Sequence, residues 1–145
     1  MKNWGKIILI LGIVGLVAAF LVYKFVYNKP HTDYAKAKPE VVEEASVCFD
    51  EFVNNRTEAE QKYNGKVVQL TGPFTRWEQN DSLLVLVFVF NQGDFGDEGI
   101  RCTLLPGIDT ASLNVKPGMQ LTVKGLLTGY NETDVILENC SIVKP

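Results

Sequence analysis

The chain changes from one unbroken apolar run near its N-terminus to alternating apolar and polar positions in its second half. Ile7 to Tyr23 form 17 uncharged residues. A helix of this length, extended through Tyr27, can cross a bilayer core of about 30 Å. Two other interpretations stay open: a cleaved signal peptide, for which Val17-Ala18-Ala19 offers small residues, and a buried helix of a soluble protein.

Lysines flank this run on both sides, with Lys2 and Lys6 before it and Lys24 after it. The short N-terminal segment stays most simply in the cytoplasm, so we expect the rest of the chain to lie outside it, in the periplasm. The membrane is then the first partner. The boundaries are a tail over 1–6, a transmembrane helix over 7–27, a linker over 28–39 and a domain over 40–145.

Apolar positions recur at helical spacing after the linker. They fall at i, i+3, i+7 and i+10, and are Val42, Ala45, Phe49 and Phe52. This spacing predicts an amphipathic helix over Glu40–Phe52. We expect the apolar stripe of this helix to pack on its own domain. Alternatively, the stripe binds a helix of a partner protein. A capping box over Thr57–Glu60 predicts a second, short helix that ends before Asn64-Gly65.

The rest of the chain has the pattern of strands separated by turns. A turn is predicted at Glu78–Asp81, a loop at Asn91–Gly99, and a connector at Pro106–Lys116 with one helical turn around Thr110–Leu113. Because its second strand is apolar at nearly every position, we expect that strand to be buried on both faces. The five predicted strands are Lys66–Thr71, Ser82–Phe90, Ile100–Leu104, Met119–Leu127 and Val135–Val143. The first of them continues irregularly through Phe74 to Glu78.

Two short helices followed by five strands, with the longest connector between strands three and four, predict a mainly β fold. This is the order of a five-stranded OB-like Greek-key barrel. Gly72 and Gly125 lie where such a strand bends or another backbone comes close. A β-sandwich is the alternative, although five strands are few for one.

The charge of the domain argues against nucleic acid as a partner. The whole chain has a net charge of −3, but four lysines precede residue 31, so ten basic residues remain against all 17 acidic ones, a net charge of −7. Binding to nucleic acid depends on a basic surface that neutralises phosphates. We therefore expect no general affinity for nucleic acid.

The chain lacks the residue patterns of catalysis and of metal binding. Its only histidine is His31, in the linker, and its cysteines form no CxxC pair. Zinc sites and Cys/His or Ser/His nucleophile pairs are therefore not predicted, and we expect no enzyme activity, metal or cofactor. Asp94, Asp97 and Glu98 form an acidic loop whose spacing does not match a calcium loop, so a solvated hairpin loop is expected.

The three cysteines allow two interpretations. Outside the cytoplasm a disulfide is possible, and Cys102 with Cys140 is the best pair because both lie in predicted strands. Alternatively, these two and Cys48 are all small buried side chains.

Four separated blocks of the domain are Glu60–Gly72, Arg101–Leu104, Gly118–Gly125 and Val135–Val143. Together they resemble a known family, the tRNA-anticodon-like OB-fold proteins. Members are small bacterial proteins anchored by a membrane helix or a lipid, common in Bacteroidetes. The resemblance implies the barrel fold and no established biochemical activity. Many members carry a cysteine where this chain has Leu127. The resemblance therefore leaves Cys102 with Cys140 as the possible disulfide pair.

OB barrels bind ligands on the face of strands two and three and at two adjoining loops. The candidate ligand-binding residues there are Arg76, Trp77, Arg101, Tyr130 and Asn131. The aromatic rings could stack on bases or sugars, and the arginines could supply charge. Alternatively, Trp77 closes the open end of the barrel and Tyr130 stabilises a turn.

These features together predict a membrane-anchored, non-enzymatic binding or interaction module of the cell envelope. Its partner would be an envelope protein or a periplasmic ligand. The alternative is a nucleic-acid-binding protein that uses the face of strands two and three.

Overall fold

The computed structural model describes residues 3–27 and 33–143, in two compact units that divide after Thr32. The first contains helix α1 (Trp4–Val22), which continues as a π-helical turn over Tyr23–Tyr27. An 18-residue window of these 24 residues has a mean hydropathy of 2.6, and none of the 24 is buried. The helix is thus long and apolar enough for a membrane anchor, and a signal sequence has the same properties. His31 and the rest of 28–32 lie outside the described residues.

The second unit is mostly sheet, with two helices and one 3-10 turn. The helices are α2 (Ala45–Asn54) and α3 (Arg56–Tyr63), and the 3-10 turn is Ala111–Leu113. The strands are β1 (Val41–Glu44), β2 (Val67–Pro73), β3 (Arg76–Asn80), β4 (Leu83–Gly93), β5 (Gly96–Leu104), β6 (Gln120–Tyr130) and β7 (Asp134–Val143). They form one sheet in the order β1-β2-β6-β7-β5-β4-β3, where β1–β2 and β5–β7 are parallel pairs.

The sheet curls round on itself at residues 74 and 75. These two residues separate β2, near one end of the strand order, from β3 at the other end. The N–H of Phe74 donates to the carbonyl of Met119 at 2.8 Å, and the N–H of Thr75 donates to the carbonyl of Val87 at 2.9 Å. Because one short segment bonds toward both β6 and β4, β2 and β3 act as two halves of one bent strand.

The interior of the curled sheet holds the apolar core. Side chains of alternating strand positions point inward, as the period of two requires, and helix α2 packs on them through Ala45, Cys48, Phe49 and Phe52. The fully buried strand residues include Leu70, Leu86, Phe88, Ile100, Leu127 and Leu137. As predicted, β4 is buried on both faces in its middle, at Val85–Phe88.

A charged cluster holds α2 to α3. The hydroxyl of Tyr63 donates to Glu51 Oε2 at 2.5 Å, and Lys62 Nζ donates to Glu51 Oε1 at 2.9 Å. These bonds favour the ionised carboxylate, so the hydrogen bond from Tyr63 first and that from Lys62 next lower the pKa of Glu51. Burial, and then the same hydrogen bond, raise the pKa of Tyr63.

The helix predicted over Glu40–Phe52 begins later, at Ala45. The four preceding residues form β1, whose Val41 to Glu44 pair in parallel with Val68 to Thr71. Val42 is therefore 63% exposed instead of lying in an apolar stripe. Distant pairing overrides helical spacing here. The cap of α3 is also different, because Asn55 Oδ1, and not Thr57, accepts from the backbone.

The structure has seven strands where the sequence predicted five. The five correspond to β2, β4, β5, β6 and β7. β1 was missed, and β3 was predicted only as an irregular continuation of the first strand into the turn Glu78–Asp81. The predicted loop Asn91–Gly99 is mostly strand, with only Asp94 and Phe95 in the turn. Side-chain hydrogen bonds across this hairpin, Asn91 to Glu98 at 2.8 Å and Gln92 to Asp97 at 2.5 Å, extend its pairing.

Candidate binding face on strands β3 to β5

Two of the predicted ligand residues lie on the outer face of the sheet, on either side of Val87. In the register of β3, β4 and β5, Arg76 is opposite Val87 and Val87 is opposite Arg101. Val87 is only 1% exposed although it points away from the core, and charged side chains surround it. We call the following five residues the ion-pair face: Arg76, Glu78, Asp97, Arg101 and Asp134.

Glu78 lies at the centre of the ion-pair face and bridges both arginines. Its Oε1 accepts from Arg76 Nε at 2.9 Å and from Arg76 Nη2 at 2.7 Å. Its Oε2 accepts from Arg101 Nη1. One carboxylate therefore holds two guanidinium groups that would otherwise repel each other.

Two further carboxylates complete the network. Asp97 accepts from Arg76 Nη1. Asp134 accepts from Arg101 Nε at 2.8 Å and from the N–H of Gly99 at 3.1 Å, and it is the one buried charged residue in the described part of the chain. Glu78 first and Asp97 second raise the pKa of Arg76. The hydrogen bond from Gln92, and then that from Arg76, lower the pKa of Asp97.

The composition of the face decides which ligands suit it. Two arginines stand against three carboxylates, so the formal charge is −1, and both guanidinium groups are hydrogen-bonded to carboxylates of the chain itself. A phosphate would have to compete with these carboxylates for the guanidinium groups. The face therefore offers alternating positive and negative groups, which suits a surface with its own mixed charges.

Trp77 does not share the outer face with the arginines. It pairs with Leu86, whose side chain is in the core, and its ring packs on Phe74 with 4.8 Å between centroids. Neighbouring strand residues point to opposite faces, so Trp77 points inward while Arg76 and Glu78 point outward. Its place against the core matches the alternative in which it closes the interior.

Tyr130 and Asn131 lie at the β6–β7 turn. The Tyr130 ring lies 5.5 Å from that of Phe52, and its hydroxyl donates to the carbonyl of Glu132 at 3.0 Å. Asn131 Oδ1 accepts from the N–H groups of Thr133 at 3.0 Å and Asp134 at 2.7 Å. Asn131 thus adjoins the ion-pair face through Asp134, whereas Tyr130 packs against helix α2.

The sequence prediction missed three members of the face, namely Glu78, Asp97 and Asp134. Glu78 had been placed in a turn and Asp97 in a solvated loop. The spacing of Arg76 and Glu78, two residues apart in an extended segment, was a usable signal, because such residues share one face of a strand. Asp97 and Asp134 follow only from pairings that join distant parts of the chain.

A hairpin tip with an exposed aromatic ring adjoins the face. Gly93 pairs with Gly96, so Asp94 and Phe95 form the two-residue turn between β4 and β5. Phe95 is 98% exposed. Asp97, in the same hairpin, forms an ion pair with Arg76 and so connects the hairpin to the ion-pair face.

All three cysteines are buried in the core, and none is disulfide-bonded in this structure. Cys102 is on β5 and Cys140 on the adjacent β7, where Cys140 is opposite Leu104. The hydrogen bond with Cys140, and then burial, raise the pKa of Cys102, and burial raises the pKa of Cys48 to about 12. The disulfide between Cys102 and Cys140 stays a prediction. Within residues 3–27 and 33–143, no group of three His, Cys, Asp or Glu side chains could hold a metal ion.

Two solved structures are similar to this chain. A candidate nucleic acid-binding lipoprotein from Klebsiella pneumoniae matches 80% of this chain and 100% of its own, at 20% identity and a TM-score of 0.46. The S. pombe Stn1–Ten1 complex matches 55% of this chain and 59% of its own, at 13% identity and a TM-score of 0.34. Both TM-scores are too low to assign a function.

No curated protein is significantly similar to the chain. The sequence model of the tRNA_anti-like family matches residues 1–142, which includes the N-terminal helix as well as the sheet. The protein is therefore a member of the tRNA_anti-like family.

Proposed function

We propose that this protein is a membrane-anchored, non-enzymatic interaction module of the cell envelope that contacts another protein through its ion-pair face. Helix α1 and its π-helical extension would cross the membrane, with the N-terminus in the cytoplasm and the sheet unit in the periplasm. The length and hydropathy of the helix support the anchor. Lysines flank the helix on both sides, so the argument for this orientation is the short N-terminal segment with Lys2 and Lys6.

The observation that carries this proposal is the neutralisation of both arginines by carboxylates of the chain. Arg76 and Arg101 share Glu78, and each binds a second carboxylate. A site that binds phosphates keeps its lysine and arginine side chains free of carboxylates. Its affinity comes from neutralising the phosphates and releasing the counterions bound to them. A network that presents both signs of charge can be matched by a complementary charge pattern on another protein surface.

The exposed ring of Phe95 supports a protein partner. At 98% exposure it contributes almost nothing to the core. Aromatic side chains on rigid elements are frequent anchors of protein interfaces.

The OB-like Greek-key barrel is part of the proposal. If β2 and β3 count as one bent strand, five strands remain, and β1 adds a short edge strand. The pairing β3–β4–β5–β7–β6–β2 then returns to the first strand, with a parallel pair between β5 and β7. On this basis the ion-pair face lies on strands one to three of the barrel, where OB folds bind their ligands.

Binding of nucleic acid through the same face is the second candidate. The two arginines lie on neighbouring strands, one row apart across Val87. For this function the three carboxylates would have to release them. Glu78→Gln would then free positive charge and increase the affinity for a single-stranded oligonucleotide, with a steep dependence on salt.

Site-specific photocrosslinking in intact cells tests the choice. A photoreactive amino acid replaces Phe95 or Thr103, which lies on β5 beside the ion-pair face. The matched control replaces Thr128, an exposed residue of β6 outside the face. Each crosslinked sample is divided and treated with nuclease or protease.

We expect a discrete adduct at Phe95 and Thr103, absent at Thr128, that resists nuclease and disappears with protease. An adduct sensitive to nuclease would replace the first candidate by the second. Equal labelling at all three positions, or none, would show that this face binds no macromolecule in the envelope.

A further inference from the structure

One stretch of the sheet unit has no carboxylate in a domain that is otherwise acidic. From Thr110 to Asn131 the only charged residues are Lys116 and Lys124, although all 17 acidic residues of the chain follow residue 32. The nearest acid before this stretch, Asp109, accepts from the N–H of Ala111 at 3.0 Å. The segment includes the 3-10 turn and the whole of β6.

The same stretch lines most of an apolar groove of about 610 Å³. None of its lining residues is charged, and its other members are serine, glutamine and threonine. Met119 is 43% exposed at its edge. The largest apolar members are Leu113, Val115, Met119, Leu121 and Ile142.

The chain enters the sheet unit beside this groove. Lys124 Nζ donates to the carbonyl of Ala35 at 2.8 Å, and Lys124 is two residues from Thr122, which lines the groove. Only five residues separate Tyr27, the last of the apolar helix, from Asp33. Even fully extended, six steps along the chain span no more than about 22 Å.

We propose that this groove rests on the lipid surface of the membrane that holds the apolar helix, with Met119 inserted at the interface. The inference depends on the anchor in the proposed function and concerns a surface distinct from the ion-pair face. The partner is a bilayer with anionic headgroups.

Charge and tethering both favour this orientation. A domain with a net charge of −7 is repelled by anionic lipids unless it turns a surface without carboxylates toward them. The groove lining is such a surface, and Lys116 beside it attracts anionic headgroups. Apolar side chains next to such a lysine suit the interface between headgroups and acyl chains. Because the short connection keeps the domain at the membrane, even weak contacts are occupied.

Fluorescence of labelled full-length protein in vesicles tests the contact. Met119→Cys is labelled with an environment-sensitive dye in the native state, where the three natural cysteines are buried. The matched control is Glu138→Cys, an exposed position on β7. Vesicles consist of phosphatidylcholine alone or mixed with phosphatidylglycerol, with and without brominated acyl chains, which quench the dye on contact.

We expect brominated lipid to quench the dye at position 119 about twofold more than at position 138, as insertion into the interface requires. The difference should grow with phosphatidylglycerol and shrink when Lys116→Glu is added. Equal quenching at both positions in protein that floats with the vesicles would overturn the inference and leave the anchor intact. A blue-shifted dye without quenching would also overturn it, since protein then covers the groove.

If the chain does not float with the vesicles, the anchor itself fails, and the proposed function fails with it. Flotation therefore tests the anchor, and the comparison of the two dye positions tests the lipid contact.

Discussion

At the scale of single residues, Gly125 is a position at which the fold cannot accommodate a side chain. A Cβ at this position would meet Cys140 Sγ and would lie 3.0 Å from the carbonyl oxygen of Glu138. The strand pairing of β6 with β7 leaves no space between the two backbones. Gly129, on the same strand, has nothing within 4 Å of the corresponding position.

We therefore predict that Gly125→Ala lowers the free energy of unfolding by about 1–3 kcal/mol, the usual cost of overpacking a core. Gly129→Ala should change it much less, and serves as the control. Urea denaturation followed by tryptophan fluorescence measures both. Equal effects of the two substitutions would mean that the close approach of β6 and β7 is not as described.

Glu78 is the residue on which the ion-pair face depends. Glu78→Gln removes the one charge shared by Arg76 and Arg101, so we predict a loss of about 0.5–1.5 kcal/mol in the free energy of unfolding, kept small by partial solvent exposure. The loss should decrease at high salt, which screens the repulsion between the arginines. Glu138→Gln is the control, because Glu138 forms no ion pair with any described residue. Equal losses in both variants would contradict a bridging role.

At the scale of elements, the contact between α2 and α3 predicts a dependence on pH. The folded pKa of Glu51 is lowered from its ordinary value of 4.5, so its contribution to stability is complete above that value and is lost as the pH falls through the folded pKa. Tyr63→Phe removes the largest cause of this shift. We predict that the substitution raises the pKa of Glu51 and reduces the acid-dependent loss of stability.

Carboxyl carbon chemical shifts of Glu51, followed by NMR during an acid titration, measure this effect. Tyr130→Phe is the control, since the Tyr130 hydroxyl donates to a backbone carbonyl and not to a carboxylate. If the pKa of Glu51 is the same in Tyr63→Phe as in the natural protein, the hydrogen bond from Tyr63 does not hold α2 to α3.

The elements that could be predicted are those whose pattern is local. The alternation along β6 and β7 and the continuous apolar run of β4 carry their own signal, and the helical turn near Thr110 was found as well. β1 could not be predicted, because it is stabilised by a parallel partner more than twenty residues away. β3 was predicted only as an irregular continuation of the first strand, because Arg76 and Glu78 face outward and bind one another instead of alternating with apolar residues.

The candidate site was likewise predictable only where it depends on a local pattern. The positions of Arg76 and Arg101 follow from strand order, so their place on one outer face was within reach. Their carboxylate partners on the hairpin and on β7 come from contacts that span 21 and 33 residues. Sequence spacing therefore predicted a cationic face, and only the register revealed that it is neutralised.

At the scale of the whole molecule, the chain consists of an apolar helix and a sheet unit with a complete core of its own. All buried hydrophobic residues of the described chain lie between Ala45 and Cys140, and none lies in the helix. The stability of the sheet unit should thus be independent of the first 32 residues, whereas membrane attachment should depend on them entirely.

We predict that deletion of residues 1–32 leaves the free energy of unfolding of the sheet unit unchanged within about 0.5 kcal/mol, the range typical of changes that touch no core contact. The same deletion should move the protein from the membrane to the soluble fraction after carbonate extraction. Urea denaturation and immunoblotting of the two fractions measure these outcomes. A large loss of stability would show that the helix contributes to the core.

The intact mass of the protein from membranes distinguishes an anchor from a signal peptide. An anchor predicts the full mass, because the apolar run continues through Phe20, Leu21 and Val22 beyond the small residues at Val17-Ala18-Ala19. A mass that lacks the first 19 or so residues would indicate cleavage there. The sheet unit would then be free in the periplasm, and its acid-free groove would have no membrane held close to it by the chain.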